Sequence, residues 1–337
     1  MMAGMTRTAA ALTAAAAAIV FADAGTNGAE AQAAKCATMR KMSIGVAVAP
    51  PNVVHTAPYT AKALGYFEKL CIDATIVQFE GGQSAAANAA AAQGTAIISV
   101  SDVAVGRGAK VQQIWGLAPI MPQVYMTGPD IKTAADLKGK KLSATGGGVG
   151  GFNWRMGREL LKTAGRLPGL IAGQIDGVAL HPEDEFLAKK QKPTLNVLAR
   201  LGQVLPNYLF NAYGASTGWI ERDRALLRDT VAAMVMANRA HFEGTEKDKV
   251  LKVIMEATQK PQDAVEFAIK TLTETCIWSV NTGFDKKRME WHTAYSVEVG
   301  DIEADKRPTP EQVSNHELAE EAVKVAGGRK TYGKCSL

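Results

Sequence analysis

The feature that most constrains the fold is an alternation of short apolar strands and helices in the first half of the chain. Predicted strands cover Ser43–Ala49, Asp73–Phe79 and Thr95–Val100, and apolar residues with helical spacing cover Thr56–Leu70. Strands separated by helices of about 10–15 residues are typical of crossover units that build a parallel sheet. The alternation therefore predicts an α/β fold.

A second α/β block and a helical C-terminal segment follow. Two extended runs interrupted by prolines are predicted within Val111–Met126, and later ones at Ile175–His181, Thr194–Leu201 and Asn207–Tyr213. The predicted helices after Gly214 are Arg224–Phe242, Asp248–Thr258, Pro261–Cys276, Lys286–Val299 and Glu317–Val325. This order predicts two lobes, with residues 34–126 plus 215–337 forming a discontinuous lobe 1 and residues 127–214 forming lobe 2. The chain is expected to cross between them near Tyr125–Pro129 and near Asn207–Gly214.

The N-terminus has the three-part layout of a secretory signal peptide. Arg7 precedes the uncharged run Ala9–Ala22, and Ala31-Gln32-Ala33 supplies small residues at a cleavage site. The apolar run is shorter than the roughly 20 residues that a membrane-spanning helix needs, although an N-terminal anchor is the alternative. We therefore expect residues 1–33 to be removed and the protein to be periplasmic, without a membrane span.

Four cysteines lie after this segment, at positions 36, 71, 276 and 335. An even number in an oxidising compartment permits two disulfides. Cys36 and Cys71 precede the first two strands, whereas Cys276 ends a helix and Cys335 lies in the tail. We predict the pairs Cys36–Cys71 and Cys276–Cys335, one of three pairings, with four free thiols as the alternative.

Charge and motifs argue against several classes of protein. The net charge of +5 is spread along the chain, so a nucleic-acid partner is not expected. The chain contains no HExxH or phosphate-loop motif. Gly146, Gly148 and Gly151 match GxGxxG, but the acidic candidate Asp176 precedes its strand instead of following it. We therefore predict no cofactor, no metal and no enzymatic activity.

Ligands of open α/β sheets bind beyond the carboxyl ends of the strands, where loops lead into helix N-termini. Five such strand-end loops are recognisable, and the loop from Thr145 to Asn153 contains five glycines that would expose several N–H groups. The candidate ligand-binding residues are Asn52, His55, Gln83, Ser84, Ser101, Asp102, Thr145, Gly148, Phe152, Asn153 and His181, with Tyr208 and Asn211 near the second crossing.

Structural roles are the alternative for several of these residues. Asn52 could be a turn residue, and His55 could cap a helix. Ser84 and Asp102 could likewise only cap the helices that follow them. Glu183 and Asp184 are predicted to favour the N-terminus of their helix rather than to contact a ligand.

Three segments carry a family resemblance: GYFEKLCIDATIVQFEGGQSAAANAAAAQG, IKTAADLKGKKLSATGGGVGG and LIAGQIDGVALHPEDE. They resemble the class II periplasmic solute-binding proteins of the sulfonate, nitrate and thiamine-precursor branch, over roughly Ser43 to Glu221. The resemblance implies the type II fold, with two lobes of mixed sheets flanked by helices and a ligand-driven closure. The ligand contacts that it implies are Asn52, Gln83, Ser84, Ser101, Thr145, Phe152, Asn153 and His181.

One connection departs from that family. Thr163–Gly169 leads almost directly into Leu170, where the family has a strand and loop of about 20 residues, so lobe 2 is expected to lack a strand unless the sequence omits a segment.

The resemblance also implies a function and partners. It implies a monomeric substrate-binding component that delivers a small solute to an ABC permease and its ATPase. The glycine loop and the net charge favour an anionic solute, and the aromatic candidates favour a heteroaromatic one. A thiamine-pyrimidine-synthesis-like enzyme of the same fold and a periplasmic ligand sensor are the alternatives.

Overall fold

The computed structural model of the chain describes residues 36–79, 95–98, 102–142 and 176–337, with the side chains of 95–98 excepted. The predicted signal peptide, residues 1–33, lies outside the described residues. So do the glycine-rich loop after Thr145 and the short connection at Thr163–Leu170. The expectations for these segments therefore stay predictions.

A five-stranded sheet forms the larger lobe. Its strands are β1 (Arg40–Val46), β2 (Ile72–Gln78), β3 (Thr95–Ile98), β4 (Val111–Ala118) and β8 (Asn211–Ser216), in the order β2-β1-β3-β8-β4. Strand β1 pairs in parallel with β2 and β3, as the alternation predicted. Strand β8 is antiparallel to both β3 and β4, because it enters this sheet on the return from the second lobe. The sheet is therefore mixed rather than wholly parallel.

A three-stranded sheet forms the smaller lobe. It contains β5 (Val124–Thr127), β6 (Gly177–Leu180) and β7 (Asn196–Arg200), in the order β6-β5-β7. Both pairings are antiparallel. Membership of the two sheets places one passage between the lobes before Val124 and the other between Arg200 and Asn211.

Arg288 joins the two passages between the lobes. Its Nη1 donates to the carbonyl oxygen of Pro119 at 2.7 Å and to that of Pro206 at 3.1 Å. Leu201 N also donates to Gln123 O at 3.0 Å, so the passages contact each other directly. The guanidinium and this backbone hydrogen bond therefore hold the two connecting segments beside each other.

The helices surround both sheets. The described helices are α1 (Ala57–Ala63), α2 (Tyr66–Lys69), α3 (Asp102–Gly106), α4 (Pro182–Gln191), α5 (Leu201–Val204), α6 (Thr217–Arg222), α7 (Arg224–Glu243), α8 (Lys247–Thr258), α9 (Gln262–Glu274), α10 (Lys286–Glu298), α11 (Pro310–Val313) and α12 (His316–Val325).

The helical C-terminal segment is confirmed, since α7, α8, α9, α10 and α12 occupy the five predicted ranges to within about two residues. The single helix predicted over Thr56–Leu70 is wrong, because Gly65 has φ = 68° and separates α1 from α2. Within the described residues, no helix is long and apolar enough to span a membrane.

One large hydrophobic core lies between the five-stranded sheet and the helices. Strand β1 contributes Ile44 and helix α7 contributes Val231, both with no exposed surface. Trp115 and Trp278 are the largest buried side chains, and their ring nitrogens donate to the carbonyl oxygens of Asn281 and Val54 at 2.9 and 3.0 Å. Each buried indole N–H thus has the partner that burial demands.

Two disulfides connect distant segments. Cys36 is bonded to Cys71 and Cys276 to Cys335, with Cα–Cα distances of 5.6 and 5.1 Å. The predicted pairing is therefore confirmed. The first bond holds the start of β1 near the start of β2, and the second holds the C-terminal tail against the end of α9.

Candidate functional site

Four of the sequence-predicted site residues meet where the two lobes touch. His55 follows β1 and Asn211 begins β8 in the larger lobe, and Asn211 Nδ2 donates to His55 Nε2 at 2.7 Å. His181 directly follows β6 in the smaller lobe, and its ring centroid lies 6.0 Å from that of His55. Asn52, the fourth, donates from Nδ2 to Glu183 Oε1 at 3.1 Å. The strand ends of both sheets therefore converge, as expected for this fold class.

Three residues that were not among the predicted candidates complete the site: Gln123, Phe210 and Glu183. Gln123 lies just before β5 and donates from Nε2 to His181 Nε2 at 3.1 Å. The Phe210 ring is stacked on His55 with a centroid distance of 6.2 Å and lies 6.0 Å from His181. We call the following six residues the inter-lobe cluster: His55, Gln123, His181, Glu183, Phe210 and Asn211.

Glu183 is the strongest polar connection between the lobes in this cluster. Its Oε1 accepts from both Asn52 Nδ2 and the backbone N–H of Val53, each at 3.1 Å, and the residue has no exposed surface. Sequence reasoning assigned this residue only to the N-terminus of its helix. The predicted position on the first turn of α4 is confirmed, but the carboxylate accepts hydrogen bonds from the loop after β1. A carboxylate three residues beyond a strand end, facing a proline-stiffened loop, was the available signal.

Burial keeps both imidazoles neutral. The pKa of His55 is lowered to about 3 by burial and by the neighbouring His181. Burial also lowers the pKa of His181, although the carboxylates of Glu183 and Asp184 act in the opposite direction. With the amide nitrogens of Gln123 and Asn211 donating, each imidazole accepts at Nε2 and carries its proton at Nδ1. The cluster therefore offers two imidazole N–H donors without a positive charge.

Four buried polar atoms of the cluster have no hydrogen-bond partner among the described residues. They are His55 Nδ1, Gln123 Oε1, His181 Nδ1 and Glu183 Oε2. A buried polar group without a partner costs about 1–3 kcal/mol. Here two donors and two acceptors without partners lie at one contact between the lobes. This arrangement is typical of a site in which a polar ligand supplies the missing hydrogen bonds.

Contacts between α4 and α9 hold the lobes together beside the cluster. Phe186 and Phe267 pack with ring centroids 5.3 Å apart. Lys260 Nζ lies 2.6 Å from Asp184 Oδ1, and a second ion pair joins Lys190 to Asp263 at 2.5 Å. The two lobes are thus in contact along one side of the site.

Two other predicted site residues lie in a different group. Asp102 begins α3 and is buried, and its Oδ2 accepts from Ser296 Oγ of α10. Its Oδ1 lies 4.0 Å from His292 Nε2. The Tyr208 ring packs on His292 with centroids 4.6 Å apart and meets Tyr295 at 6.0 Å. Asp102 and Tyr208 therefore both contact α10.

The remaining candidates lie outside the described residues: Gln83, Ser84, Ser101, Thr145, Gly148, Phe152 and Asn153. Their predicted roles stay predictions. Over the ranges that the structure describes, no group of three or more His, Cys, Asp or Glu side chains is arranged to hold a metal ion.

A sequence profile supports the family resemblance. The profile of the family described as NMT1/THI5 like matches residues 52–168, which begin at the loop that carries Asn52 and His55. No curated protein sequence matches the chain significantly.

Solved structures with low sequence identity share the fold. The periplasmic nitrate-binding protein NrtA from Synechocystis PCC 6803 is 15% identical with a TM-score of 0.66, over 85% of this chain and 89% of that one. The periplasmic aliphatic sulphonate-binding protein SsuA from Escherichia coli is 16% identical with a TM-score of 0.62, over 80% and 92%. The desulfurization enzyme DszB is also similar, at 14% identity and a TM-score of 0.57, over 84% and 99%.

Because an enzyme is among these neighbours, the fold alone does not separate binding from catalysis. The neighbours do confirm the predicted two-lobe α/β fold of mixed sheets flanked by helices. The chain thus has the class II periplasmic-binding-protein fold, and its predicted resemblance to the sulfonate, nitrate and thiamine-precursor branch is confirmed.

Proposed function

We propose that this protein is the periplasmic substrate-binding component of an ABC-type importer and that it captures a small solute between its two lobes. The observation that carries the proposal is the inter-lobe cluster, in which each lobe contributes buried polar atoms without partners. A solute that bonds to both lobes binds the closed arrangement better than the open one, and so shifts the population toward closure.

Binding fits the described residues better than catalysis does. Both imidazoles of the cluster hydrogen-bond to side-chain amides, and neither is bonded to a nucleophile or to an orienting carboxylate of the described residues. NrtA and SsuA, which share the fold, are described as nitrate-binding and sulphonate-binding proteins. Their names support a transport role for this chain rather than an enzymatic one.

A thermal-shift screen tests the proposal. Sulfonates, aromatic acids and pyrimidines, which cover the anionic and heteroaromatic solutes expected from the sequence, are added to the full chain, and the midpoint of unfolding is measured. A solute that binds only the folded state must raise this midpoint. At a concentration of 100 times its Kd, the solute raises the free energy of unfolding by about 2.7 kcal/mol. Small-angle scattering then checks that the same solute makes the protein more compact.

Variants locate the site. His55→Ala and His181→Ala each remove an imidazole of the inter-lobe cluster, and we expect each to weaken binding by about tenfold or more. His316→Ala is the matched control, because this histidine lies on α12 and about half of its side chain is exposed. Binding that survives both cluster variants unchanged would place the site elsewhere.

A further inference from the structure

The charge of the inter-lobe cluster distinguishes between classes of solute. Glu183 is its only ionic side chain, since the two imidazoles are neutral and the other polar groups are amides. Lys260 is close enough to act on the pKa of His181, but its ammonium is paired with Asp184 at 2.6 Å. Among the contacts described for the cluster, no lysine or arginine faces it. The described part of the site is therefore negative.

The N-terminus of α4 does not restore a preference for anions. A helix N-terminus attracts negative charge through its dipole and its free N–H groups. The first turn of α4 contains three carboxylates, those of Glu183, Asp184 and Glu185. Asp184 and Glu185 are paired with Lys260 and Arg200, so a bound oxyanion would meet the negative charge of Glu183 as well as the helix dipole.

The atoms without partners have a matching chemistry. Glu183 Oε2 and Gln123 Oε1 are both acceptors, and the former belongs to a carboxylate whose other oxygen already holds the loop after β1. An ammonium or amidinium group supplies several N–H donors and a positive charge to two such acceptors. Phe210 places an aromatic ring beside the imidazoles, where a cation is further stabilised.

We infer that the inter-lobe cluster binds a small solute that carries a positively charged amine or amidinium group, with Glu183 as its counter-charge and Gln123 as a second acceptor. The Nδ1–H groups of His55 and His181 donate to an acceptor atom on the same solute. This inference rests on the proposed function. It assigns the captured solute to the cationic amines and amidines rather than to the oxyanions.

Calorimetric titration with two sets of probes tests the inference. The cationic probes are ethanolamine, histamine and benzamidine, and the anionic probes are nitrate, methanesulfonate and benzoate. We expect a cationic probe to bind and to raise the unfolding midpoint of the full chain. Glu183→Gln removes the charge with little change of shape, and it should weaken that binding between about 10-fold and about 100-fold.

Glu185→Gln is the matched control. Glu185 lies on the same turn of α4 but pairs with Arg200 at 3.2 Å within the smaller lobe. We expect this variant to change the affinity for the cationic probe by less than about threefold. Equal losses in the two variants would mean that the carboxylates act through the stability of the smaller lobe, which would overturn the assignment of Glu183.

The outcomes separate this inference from the proposed function. Binding of an anionic probe that Glu183→Gln leaves unchanged or strengthens would overturn the inference, while the capture of a solute between lobes would stand. A complete lack of binding and of midpoint shift with both sets would contradict both. If Glu183→Gln folds poorly by circular dichroism, competition between benzamidine and benzoate on the unchanged protein makes the same distinction.

Discussion

Two buried polar regions of this protein differ in whether their hydrogen bonds are complete. Arg239 of α7 is almost fully buried, yet each of its three side-chain nitrogens is bonded. Its partners are the carbonyl oxygens of Val280, Ala326 and Gly328 at 2.7–2.8 Å and Asn281 Oδ1 at 3.0 Å. This guanidinium fastens the C-terminal segment to the helical body.

Most residues of the inter-lobe cluster are also buried, but four polar atoms of the cluster have no hydrogen-bond partner among the described residues. Unpartnered atoms also occur elsewhere, such as Ser279 Oγ and the two amide atoms of Gln113. The cluster differs because its four atoms come from both lobes and lie along one chain of contacts. A completed polar network stabilises the fold, whereas an incomplete one at a contact between lobes reserves its hydrogen bonds for a ligand. Substitutions in the Arg239 network should therefore change mainly stability, and substitutions in the inter-lobe cluster should change mainly solute binding.

The largest expected effect is on stability, at Arg239. Arg239→Met would leave three buried carbonyl oxygens without donors, and we expect the free energy of unfolding to fall by about 3–5 kcal/mol. Denaturant unfolding measures this, and solute affinity measured well below the new midpoint should be unchanged. Arg222→Met on the exposed end of α6 is the control and should have an effect within about 0.5 kcal/mol.

The second effect concerns the disulfides. Replacing both cysteines of either pair by serine should lower the free energy of unfolding by about 2–4 kcal/mol. The bond between Cys276 and Cys335 spans 59 residues and the other spans 35, so its loss should have the larger effect, by about 0.5 kcal/mol. Both bonds lie outside the cluster. A marked change in solute affinity in either variant would contradict the separation of the two regions.

The third effect depends on pH and compares a histidine of the helical body with one of the inter-lobe cluster. His241 of α7 is stacked on Trp278 at 4.1 Å, and burial lowers its pKa to about 3, the same value as for His55. The unfolded chain takes up a proton near pH 6.5 while the folded chain does not. Stability is therefore full above pH 6.5 and is lost as the pH falls toward 3, by about 1 kcal/mol per histidine between pH 6.5 and 5.5.

Replacing each histidine separately measures how much of the pH dependence of stability comes from His241 and how much from His55. His241→Gln and His55→Gln should each remove one histidine's share of the acid-induced loss, measured by thermal unfolding at pH 5.5 and 7.5. Only His55→Gln should also weaken solute binding. A loss of binding in His241→Gln at temperatures where it is folded would break the comparison.

The smallest effect on stability is expected inside the cluster. Gln123→Met keeps the shape of the side chain, removes the unpartnered Oε1 and loses the single bond to His181. These changes oppose each other, so the free energy of unfolding should change by less than about 1 kcal/mol. Solute affinity should nevertheless fall by about tenfold. A large destabilisation would mean that Gln123 belongs to the structural network instead.

Sequence periodicity predicted many of the described elements of this fold. Apolar runs bounded by turn residues located β1 and β2, and amphipathic spacing located α7 to α10 closely, because these signals are local. The break between α1 and α2 was missed, since the apolar spacing continues through Gly65 and only its left-handed backbone reveals the end of the helix. The positions of the cysteines relative to strand and helix ends favoured the pairing that the structure has, but left two other pairings and free thiols open.

The candidate site was predictable only in part. The rule that ligands bind at strand ends identified Asn52, His55 and His181, because that edge of the sheet follows from chain order. It gave no means to choose Glu183 over Asp184, since both fit the first turn of a helix equally well. Gln123 and Phe210 had no local signal at all.

By itself, therefore, the sequence determined most of the described strands and C-terminal helices, favoured one disulfide pairing and indicated which loops lie at the edge of a sheet, all of which depend on local pattern and chain order. The tertiary structure alone decided which side chains from the two lobes meet. It turned Glu183 toward Asn52 and Asp184 toward Lys260. That choice depends on contacts between residues more than 70 positions apart, which only the packing of one lobe against the other specifies.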